Sequence, residues 1–344
     1  VISLKSPEKY FSLLKKIGVD VYSLNLNFYS FFKVFSLIKL IRFLKPDIVQ
    51  TWLVHADFIG GIAARLSGVK KIIWNVRYSN LEFGKTKIIT ILIIKILAKL
   101  SYIIPQSIVI VSKRAIKIYE NVGYDKKKLI FIPNGYDLSI LMPNEFEKIS
   151  FKKNNNISTK IPLIGNVARY DPKKDHLNLL KALLIIKSKK INFHCILVGT
   201  GIDKNNLKLV QEIKKLNLSN HIKLMGQKDN IYSVMNGLDI YVQSSSYGEG
   251  FPNVVAESMA CGTPCVVTDV GDSSFIVGET GWVAKPNNHI KLAIEIEKAI
   301  LENGSKKSMK RSKETRLRIE NNFDIQKMIT KYNELWNNVY NKKN

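Results

Sequence analysis

Short apolar runs alternate with longer stretches of helical periodicity along the chain. Apolar and β-branched runs in the first part predict strands at 1–4, 20–26, 47–53, 71–76, 107–112 and 129–133. Apolar residues at helical spacing predict helices between them, at 7–17, 31–43, 56–66 and 87–100. Strands that alternate with helices of this length are typical of βαβ units and a parallel sheet.

The same alternation resumes after residue 160. Strands are predicted at 162–168, 193–199, 222–226, 239–245 and 264–269. Helices are predicted at 176–187, 204–216, 253–260 and, near the end of the chain, 324–340. The apolar stripe of the last helix predicts that it packs against the rest of the protein.

The polar segment 141–160 separates the two series, is rich in Asn and Lys and has no hydrophobic period, which is typical of a linker. We therefore expect an α/β protein with two Rossmann-like domains facing across a cleft. The expected divisions are a first domain at 1–143, a linker at 144–160, a second domain at 161–322 and a C-terminal helix at 323–344 that packs back toward the first domain. Ligands of such sheets bind at the carboxyl ends of the strands.

Composition limits the class of protein. A hydrophobic fraction of 46% in 344 residues excludes a disordered chain and is enough for two cores. The sequence has no apolar run near the ~20 residues that a membrane span needs. Its three cysteines are odd in number and lack CxxC spacing, which predicts buried thiols in a reducing compartment.

The net charge of +25 has two interpretations. It is spread over both halves and is largely Lys in a chain rich in Ile and Asn, as drift in composition would produce. Alternatively, it favours an anionic partner such as a membrane surface or a nucleotide.

Two glutamates, Glu249 and Glu257, lie eight residues apart in the sequence YGEGFPNVVAESMACGTP. Pro252 suits the start of a helix, while Gly262 and Pro264 suit its end. Glu249 is thus expected in a loop and Glu257 in the second turn of a helix. The helix start offers free N–H groups around Asn253 and Val254 and a positive dipole end, which suit a phosphate. A surface glutamate and a core-helix glutamate are the alternative.

A second motif, GNVARYDPKKDH, carries Arg169 and Lys174 across a turn at Asp171-Pro172. The two cations could neutralise a diphosphate through charge-assisted hydrogen bonds, or they could simply lie on a solvated turn. The Gly-Thr-Gly sequence at 199–201 lacks a third glycine and is too weak for a dinucleotide site.

The stretch 84–105 is apolar, with Lys95 and Lys99 on one face. It could dock peripherally on an anionic membrane. An ordinary helix of a Rossmann-like domain with a lysine edge is the alternative.

These motifs together resemble the family 4 glycosyltransferases, which have the GT-B fold. Their E-x7-E signature matches EGFPNVVAE, and their Arg-x4-Lys matches Arg169 and Lys174. Further similar segments are LVGTG, GQKDNIYSVMNGLDIYVQSS, CGTPCVVTDVGD, KPDIVQTW, WNVRYS and IPNGYD.

The resemblance implies retaining transfer of a sugar from a nucleotide diphosphate sugar, in particular a UDP-sugar, without a metal or other cofactor. The sequence contains no Asp-x-Asp, the pair that metal-dependent glycosyltransferases commonly use to hold the cation. Arg169, Lys174 and Glu249 would form the catalytic set, with the two cations and the helix start neutralising the leaving diphosphate.

The remaining donor contacts are also implied by the resemblance. Glu249 would hold sugar hydroxyls and Glu257 the ribose. The other expected donor-binding residues are Phe251, Pro252, Asn253 and Val254 around the sugar and phosphates, and Gly226 (with Met225) and Ile231 near the base.

The first domain is expected to bind the acceptor. His55 and Arg77 follow predicted strands and are acceptor-side candidates. In some family members a His occupies about the position of Arg77, so an acid–base role there is in doubt and an anionic acceptor is favoured. The alternatives are a helix cap for His55 and a surface or interdomain ion pair for Arg77.

One feature departs from the family pattern. The family begins with another strand and a glycine-rich loop, whereas 1–4 here resembles the second strand. A missing central strand would leave a gap in the first sheet. We therefore expect a fragment that is poorly stable or inactive, an expectation that robust turnover by the chain would contradict.

The function expected from the resemblance is a hexosyl transfer to a glycan or lipid-linked acceptor, building a cell-surface polysaccharide such as lipopolysaccharide or capsule. The protein would be cytoplasmic and peripheral on the inner face of the plasma membrane. The alternatives are a nucleotide-sugar epimerase on the same fold and a non-catalytic fragment. Nucleic-acid binding is not expected, because no base-reading motif accompanies the charge.

Overall fold

The computed structural model describes residues 1–5, 10–26, 32–77 and 88–342. The chain forms two compact units. Unit 1 comprises Val1–Ile132 and Tyr332–Asn344, and unit 2 comprises Pro133–Lys331. The division after Ile132 comes earlier than the boundary predicted near residue 143.

Each of the six strands predicted for the first part is present in unit 1. They are β1 (Ile2–Ser3), β2 (Tyr22–Ser23), β3 (Val49–Gln50), β4 (Ile72–Val76), β5 (Ser107–Ile110) and β6 (Leu129–Phe131). β3, β4, β5 and β6 form a parallel sheet in that order, while β1 and β2 pair with each other in a separate two-stranded sheet. Within the described residues, the strands of unit 1 therefore form two separate sheets.

The helices of unit 1 are α1 (Phe11–Lys16), α2 (Lys33–Leu44), α3 (Val54–Leu66), α4 (Ile88–Leu100) and α5 (Lys113–Val122). The predicted helix starts at Pro7, Phe31 and Lys87 lie outside the described residues. α5 was not predicted, although Ser112 caps its start and Gly123 ends it in a left-handed conformation.

The core of unit 1 lies between the four-stranded sheet and these helices. β4 is buried at all five positions, as a parallel strand covered on both faces should be. The helices contribute buried apolar residues from α2 to α5, which are Leu37, Ile41, Val54, Ala63, Ala64, Ile94, Leu97, Ala98, Ala115 and Tyr119.

Unit 2 contains one six-stranded parallel sheet. Its strands are β7 (Leu163–Val167), β8 (His194–Val198), β9 (Ile222–Leu224), β10 (Ile240–Gln243), β11 (Cys265–Thr268) and β12 (Trp282–Ala284). The order β12-β11-β10-β7-β8-β9 places the first strand in the middle. The chain builds outward on one side and then on the other, so the order reverses between β7 and β10. Five of these strands were predicted, and β12 was not.

The helices of unit 2 are α6 (Glu145–Asn154), α7 (His176–Ser188), α8 (Leu207–Lys215), α9 (Ile231–Gly237), α10 (Asn253–Ala260), α11 (Ser273–Val277), α12 (His289–Glu302) and α13 (Lys306–Phe323). α7, α8 and α10 were predicted. The expectation of an irregular linker at 144–160 is wrong for α6, which Asn144 caps by accepting a hydrogen bond from the Glu147 N–H at 3.1 Å.

The last helix, α14 (Ile325–Asn341), begins in unit 2 and ends in unit 1. Tyr332 and Leu335 of the predicted apolar stripe are buried, whereas Ile329 and Trp336 are each 40% exposed. In unit 1, the Trp336 Nε1 donates to the Gln50 Oε1 at 2.7 Å, so the end of α14 packs against β3.

The three cysteines, Cys195, Cys261 and Cys265, are buried free thiols, as predicted. Among the helices that the structure describes, none is long and apolar enough to cross a membrane.

Candidate active site

The reversal of strand order in unit 2 determines where its polar residues converge. β7 and β10 are adjacent parallel strands, so their carboxyl ends meet at one edge of the sheet. The segment with Arg169 and Lys174 follows β7, and the loop with Glu249 follows β10. This edge is the topological switch point, where open α/β sheets bind their ligands.

Lys174 and Glu249 are in direct contact at this edge. The Lys174 Nζ lies 2.6 Å from the Glu249 Oε1, and both side chains are largely buried. The Ser245 hydroxyl donates a second hydrogen bond to the same oxygen, also at 2.6 Å. The carboxylate is thus fixed by a cation and a hydroxyl.

Arg169 does not share this arrangement. Its Nε donates to the Asp171 Oδ2 at 3.1 Å, and its side chain is 64% exposed. Asp171 also caps the turn that carries Lys174, by accepting from the Lys173 N–H. The contact with Asp171 keeps the guanidinium on the exposed turn. In this state Arg169 therefore fits the alternative interpretation, in which the cation lies on a solvated turn.

A buried polar chain extends behind Glu249, and sequence reasoning missed it. The Gln243 Nε2 lies 3.4 Å from the Ser245 Oγ, and the Ser273 hydroxyl donates to the Gln243 Oε1 at 2.8 Å. The Thr268 hydroxyl donates to the Ser245 carbonyl at 2.6 Å. All four side chains are buried. Their only sequence signal is a run of polar residues at the end of an apolar strand.

The loop that carries Glu249 lies against the backbone at Gly271. The Asp272 N–H donates to the Gly250 carbonyl at 2.8 Å. Gly271 has φ +57°, and a Cβ there would lie 2.4 Å from the Glu249 carbonyl oxygen. Only glycine allows this approach, so Gly271 helps to set the path of the loop.

α10 spans Asn253–Ala260, as the sequence predicted. Pro252 occupies the N-cap position rather than the first turn. The first N–H groups, including those of Asn253 and Val254, have no acceptor within an α-helix and can bind an anion. Gly262 ends the helix with φ +75°.

Asn253 at the first position of α10 is held from the side. Its Oδ1 accepts from the Asn134 Nδ2 at 2.7 Å and from the Tyr136 hydroxyl at 2.9 Å. Gly135 between these residues packs against the start of α14, where a Cβ would lie 2.7 Å from the Ile325 Cα. The segment IPNGYD thus positions the start of α10.

Glu257 lies in the second turn of α10 and is partly buried. Burial raises the pKa of its carboxyl above the ordinary value. An ionised carboxylate there is costly without a hydrogen-bond or charge partner. Perturbed pKa values of this kind are frequent among ligand-binding residues, although they also occur at purely structural positions.

Phe251 and Pro252 are buried. The Phe251 ring lies edge-on to Phe323, with centroids 5.3 Å apart. Phe251 therefore anchors the loop in the core.

The residues predicted to lie near the nucleotide base follow the carboxyl end of β9 and begin α9. The Gly226 N–H donates to the Ile202 carbonyl and its own carbonyl accepts from the Gly199 N–H, both at 2.8 Å. Ile231 begins α9, which Asn230 caps. Gly199 allows the loops after β7 and β8 to approach, since a Cβ there would lie 2.1 Å from the Ala168 carbonyl oxygen.

In unit 1, the two acceptor-side candidates lie at the carboxyl ends of β3 and β4. His55 is exposed in the first turn of α3, and Leu53 rather than His55 is the capping residue. The Arg77 guanidinium lies 4.7 Å from the centre of the Trp52 ring, and its Nε donates to the Asn75 Oδ1 at 3.2 Å.

Asp57 organises this edge of unit 1 and was not predicted. It is fully buried, and its Oδ1 accepts from the Thr51 hydroxyl at 2.5 Å and from the Asn75 N–H at 3.3 Å. Burial raises its pKa to about 7, while the two hydrogen bonds lower it. Asp57 therefore joins the ends of β3 and β4 to the start of α3.

Two family models match the chain. Residues 147–318 match "Glycosyl transferases group 1", and residues 3–140 match "Glycosyltransferase Family 4". Together they cover most of both units.

The chain is similar to several curated proteins. It is 30% identical to Bacillus subtilis EpsF over 152 residues, covering 44% of this chain but only 39% of EpsF. It is 28% identical to the Escherichia coli UDP-Gal:alpha-D-GlcNAc-diphosphoundecaprenol alpha-1,3-galactosyltransferase over 311 residues, covering 88% of this chain and 78% of that protein. It is 26% identical over 320 residues to the Campylobacter jejuni N,N'-diacetylbacillosaminyl-diphospho-undecaprenol alpha-1,3-N-acetylgalactosaminyltransferase, covering 89% and 81%.

Solved structures share the fold. Anabaena HepE in complex with UDP superposes with a TM-score of 0.84 at 19% identity, covering 98% of this chain and 92% of that one. A Rickettsia africae glycosyltransferase superposes with a TM-score of 0.86 at 21% identity, covering 99% and 90%. At these identities the likeness shows the two-domain α/β fold with parallel sheets.

Proposed function

The chain belongs to the Glycosyl transferases group 1 family and is a glycosyltransferase, and we propose that it moves a hexose from a UDP-sugar to a lipid-linked glycan, with retention of configuration. The observation that carries the proposal is the pairing of Lys174 with Glu249 at the switch point of unit 2. At this edge the Lys174 ammonium can bind the diphosphate of the donor, and the Glu249 carboxylate can accept hydrogen bonds from its sugar hydroxyls.

The leaving diphosphate needs positive charge as the glycosidic bond breaks. Lys174 and the first N–H groups of α10 supply it as fixed electrostatic stabilisation. Arg169 joins them only if its contact with Asp171 gives way, which its exposure allows. These groups are the reason for proposing transfer without a metal.

The reaction we propose requires no protein nucleophile. The bond between the sugar C1 and the diphosphate oxygen breaks, and a bond forms between C1 and the acceptor oxygen on the same face. The acceptor's proton passes to the departing phosphate oxygen. Glu249 accepts hydrogen bonds from the sugar hydroxyls, and Glu257 accepts them from the ribose.

The choice of acceptor rests on the relatives. The names of the Escherichia coli and Campylobacter jejuni proteins give diphosphoundecaprenol-linked sugars as their acceptors. An acceptor of this class lies at a membrane surface, so we propose a cytoplasmic enzyme that is peripheral on the inner face of the plasma membrane. His55 and Arg77 would contact the acceptor, with the Arg77 guanidinium suited to its diphosphate.

A panel of nucleotide sugars tests this function. The purified chain should release UDP from one UDP-sugar when a diphosphoundecaprenol-linked sugar is present, and the product should keep the anomeric configuration of the donor. This turnover would contradict the expectation, drawn from the sequence, of an inactive fragment. Release of free nucleotide and an altered sugar without any acceptor would indicate an epimerase instead. No binding of any nucleotide sugar would indicate a non-catalytic protein.

Replacing Ser245 with alanine tests how Glu249 is positioned. The S245A variant loses the hydroxyl that donates to the Glu249 Oε1, and we expect the rate of transfer to fall about tenfold, as for one lost hydrogen bond to a charged group. S246A is the matched control, because the Ser246 hydroxyl contacts the carbonyls of Pro172 and Lys173 instead. If Ser245 acts through Glu249, S245A should cost little more in an E249Q background; additive losses would contradict this role.

A further inference from the structure

The outer face of α4 is apolar although its side chains are exposed. Large side chains of this helix and the turn after it are 46–71% exposed. We call them the α4 surface, which consists of Ile88, Ile89, Leu92, Ile96, Tyr102 and Ile103. A helix on the surface of a soluble domain ordinarily has polar residues on its outer face.

The opposite face of α4 is fixed in the core of unit 1. Ile94, Leu97 and Ala98 are buried there with the other helices and the sheet. The exposed stripe is therefore not a face that unit 1 could bury by rotating the helix. Six exposed apolar side chains on one helix and its turn form a patch of the kind that marks an interaction site.

The charges around the α4 surface are basic. Lys95 and Lys99 are exposed on the same helix. Arg65 donates to the Ile103 carbonyl at 3.0 Å, and Lys128 donates to the Tyr102 carbonyl at 2.8 Å, which holds both cations at the end of the patch. The sequence from 88 to 105 contains no Asp or Glu.

We propose that the α4 surface docks onto an anionic lipid bilayer. Apolar side chains beside lysines on an exposed helix match the acyl boundary and the anionic headgroups of such a membrane. α4 has 13 residues, which is too short to span a bilayer, so it would lie in the plane of the interface. The inference rests on the proposed function in one respect, namely that a lipid-linked acceptor is presented at such a surface.

Vesicle flotation with the full chain tests the proposal. Vesicles of phosphatidylglycerol and phosphatidylcholine should bind the wild type, and vesicles of phosphatidylcholine alone should bind it less. L92E/I96E should lower partitioning onto the anionic vesicles by roughly tenfold or more. K95E/K99E should lower it by a similar factor, and added NaCl should weaken wild-type binding.

I290E/L301E is the matched control, because it makes the same changes at exposed positions of α12, where Ile290 and Leu301 are 57% and 69% exposed. This variant should bind vesicles as the wild type does. Equal partitioning of the wild type and L92E/I96E would overturn the proposal. A wild-type dimer in solution that L92E/I96E dissociates, without vesicle binding by either, would also overturn it, because the surface would then join two copies.

Transfer assays separate this inference from the proposed function. L92E/I96E should retain wild-type rates on a water-soluble acceptor analogue and lose activity on acceptor embedded in vesicles. A wild type that binds anionic vesicles but transfers no sugar would support the docking surface and contradict the proposed function. Full activity of L92E/I96E on embedded acceptor would overturn the docking surface and leave the proposed function intact.

Discussion

Replacing Lys174 with methionine should lower the rate of sugar transfer by about a hundredfold to a thousandfold, which is the usual loss when one fixed electrostatic group is removed from an active site. Methionine keeps much of the length of the side chain but removes the ammonium group that lies 2.6 Å from the Glu249 Oε1. The effect should appear mainly in kcat, because the charge on the leaving diphosphate grows as the bond to the sugar breaks. Steady-state kinetics with the preferred UDP-sugar would measure it.

K173M is the matched control, because it removes a neighbouring lysine charge from the same turn. This variant should keep most of the activity. The double variant K174M/E249Q should lose little more than the more damaging single variant, since the two side chains act as a pair. A K174M enzyme that is folded by circular dichroism and has an unchanged kcat would contradict the role given to Lys174.

The strands were predictable because a buried parallel sheet has a strong sequence signal. β4, β5 and β7 are buried throughout and consist mostly of apolar residues. Some of the helices that were missed carry weaker signals. α13, for example, has 18 residues of which only Thr315, Ile319 and Phe323 are buried. Such a helix depends on long-range contacts that no local pattern contains.

One of these contacts is made by Arg316 of α13. Its guanidinium donates to the carbonyls of Leu138, Leu141 and Ala260, which join α13 to two distant segments of unit 2. Similarly, α6 lies in a segment without hydrophobic period, and its residues Lys148 and Lys152 pair with Asp239 at 2.8 and 2.6 Å. These long-range ion pairs help to explain why part of the predicted linker forms a helix.

The candidate site was predictable in outline because its loop and helix also have local sequence signals. Pro252 divides the E-x7-E spacing into a loop and a helix, and the structure places Glu249 and Glu257 accordingly. The contact of Lys174 with Glu249 joins residues 75 positions apart. It depends on the order of the strands in the sheet, which local sequence patterns do not predict. The chain from Ser273 to Ser245 was missed because serine and glutamine have no characteristic spacing at a strand end.

Replacing Glu257 with glutamine should weaken UDP binding about tenfold to a hundredfold and should stabilise the free protein. The first effect follows if the ribose hydroxyls donate to the carboxylate, because hydrogen bonds to charged groups contribute about 1.5–3 kcal/mol each. The second follows from burial, which raises the pKa of Glu257 and so makes its ionised form costly in the folded state. Isothermal titration calorimetry and thermal unfolding would measure the two effects on the same variant.

The pH dependence of the stabilisation identifies its cause. A carboxyl with a raised pKa in the folded protein binds its proton more tightly there than in the unfolded chain, so its contribution to stability is greatest in acid and is lost as the pH rises through the folded pKa. Glutamine is neutral at every pH, so E257Q should exceed the wild type in stability at neutral pH and match it in acid. E314Q, at a half-exposed glutamate of α13 whose surface ion pair with Lys310 contributes little to stability, should change neither UDP affinity nor this profile. Unchanged UDP affinity in E257Q would refute the ribose contact, and a stability gain that persists in acid would show that burial of charge is not its source.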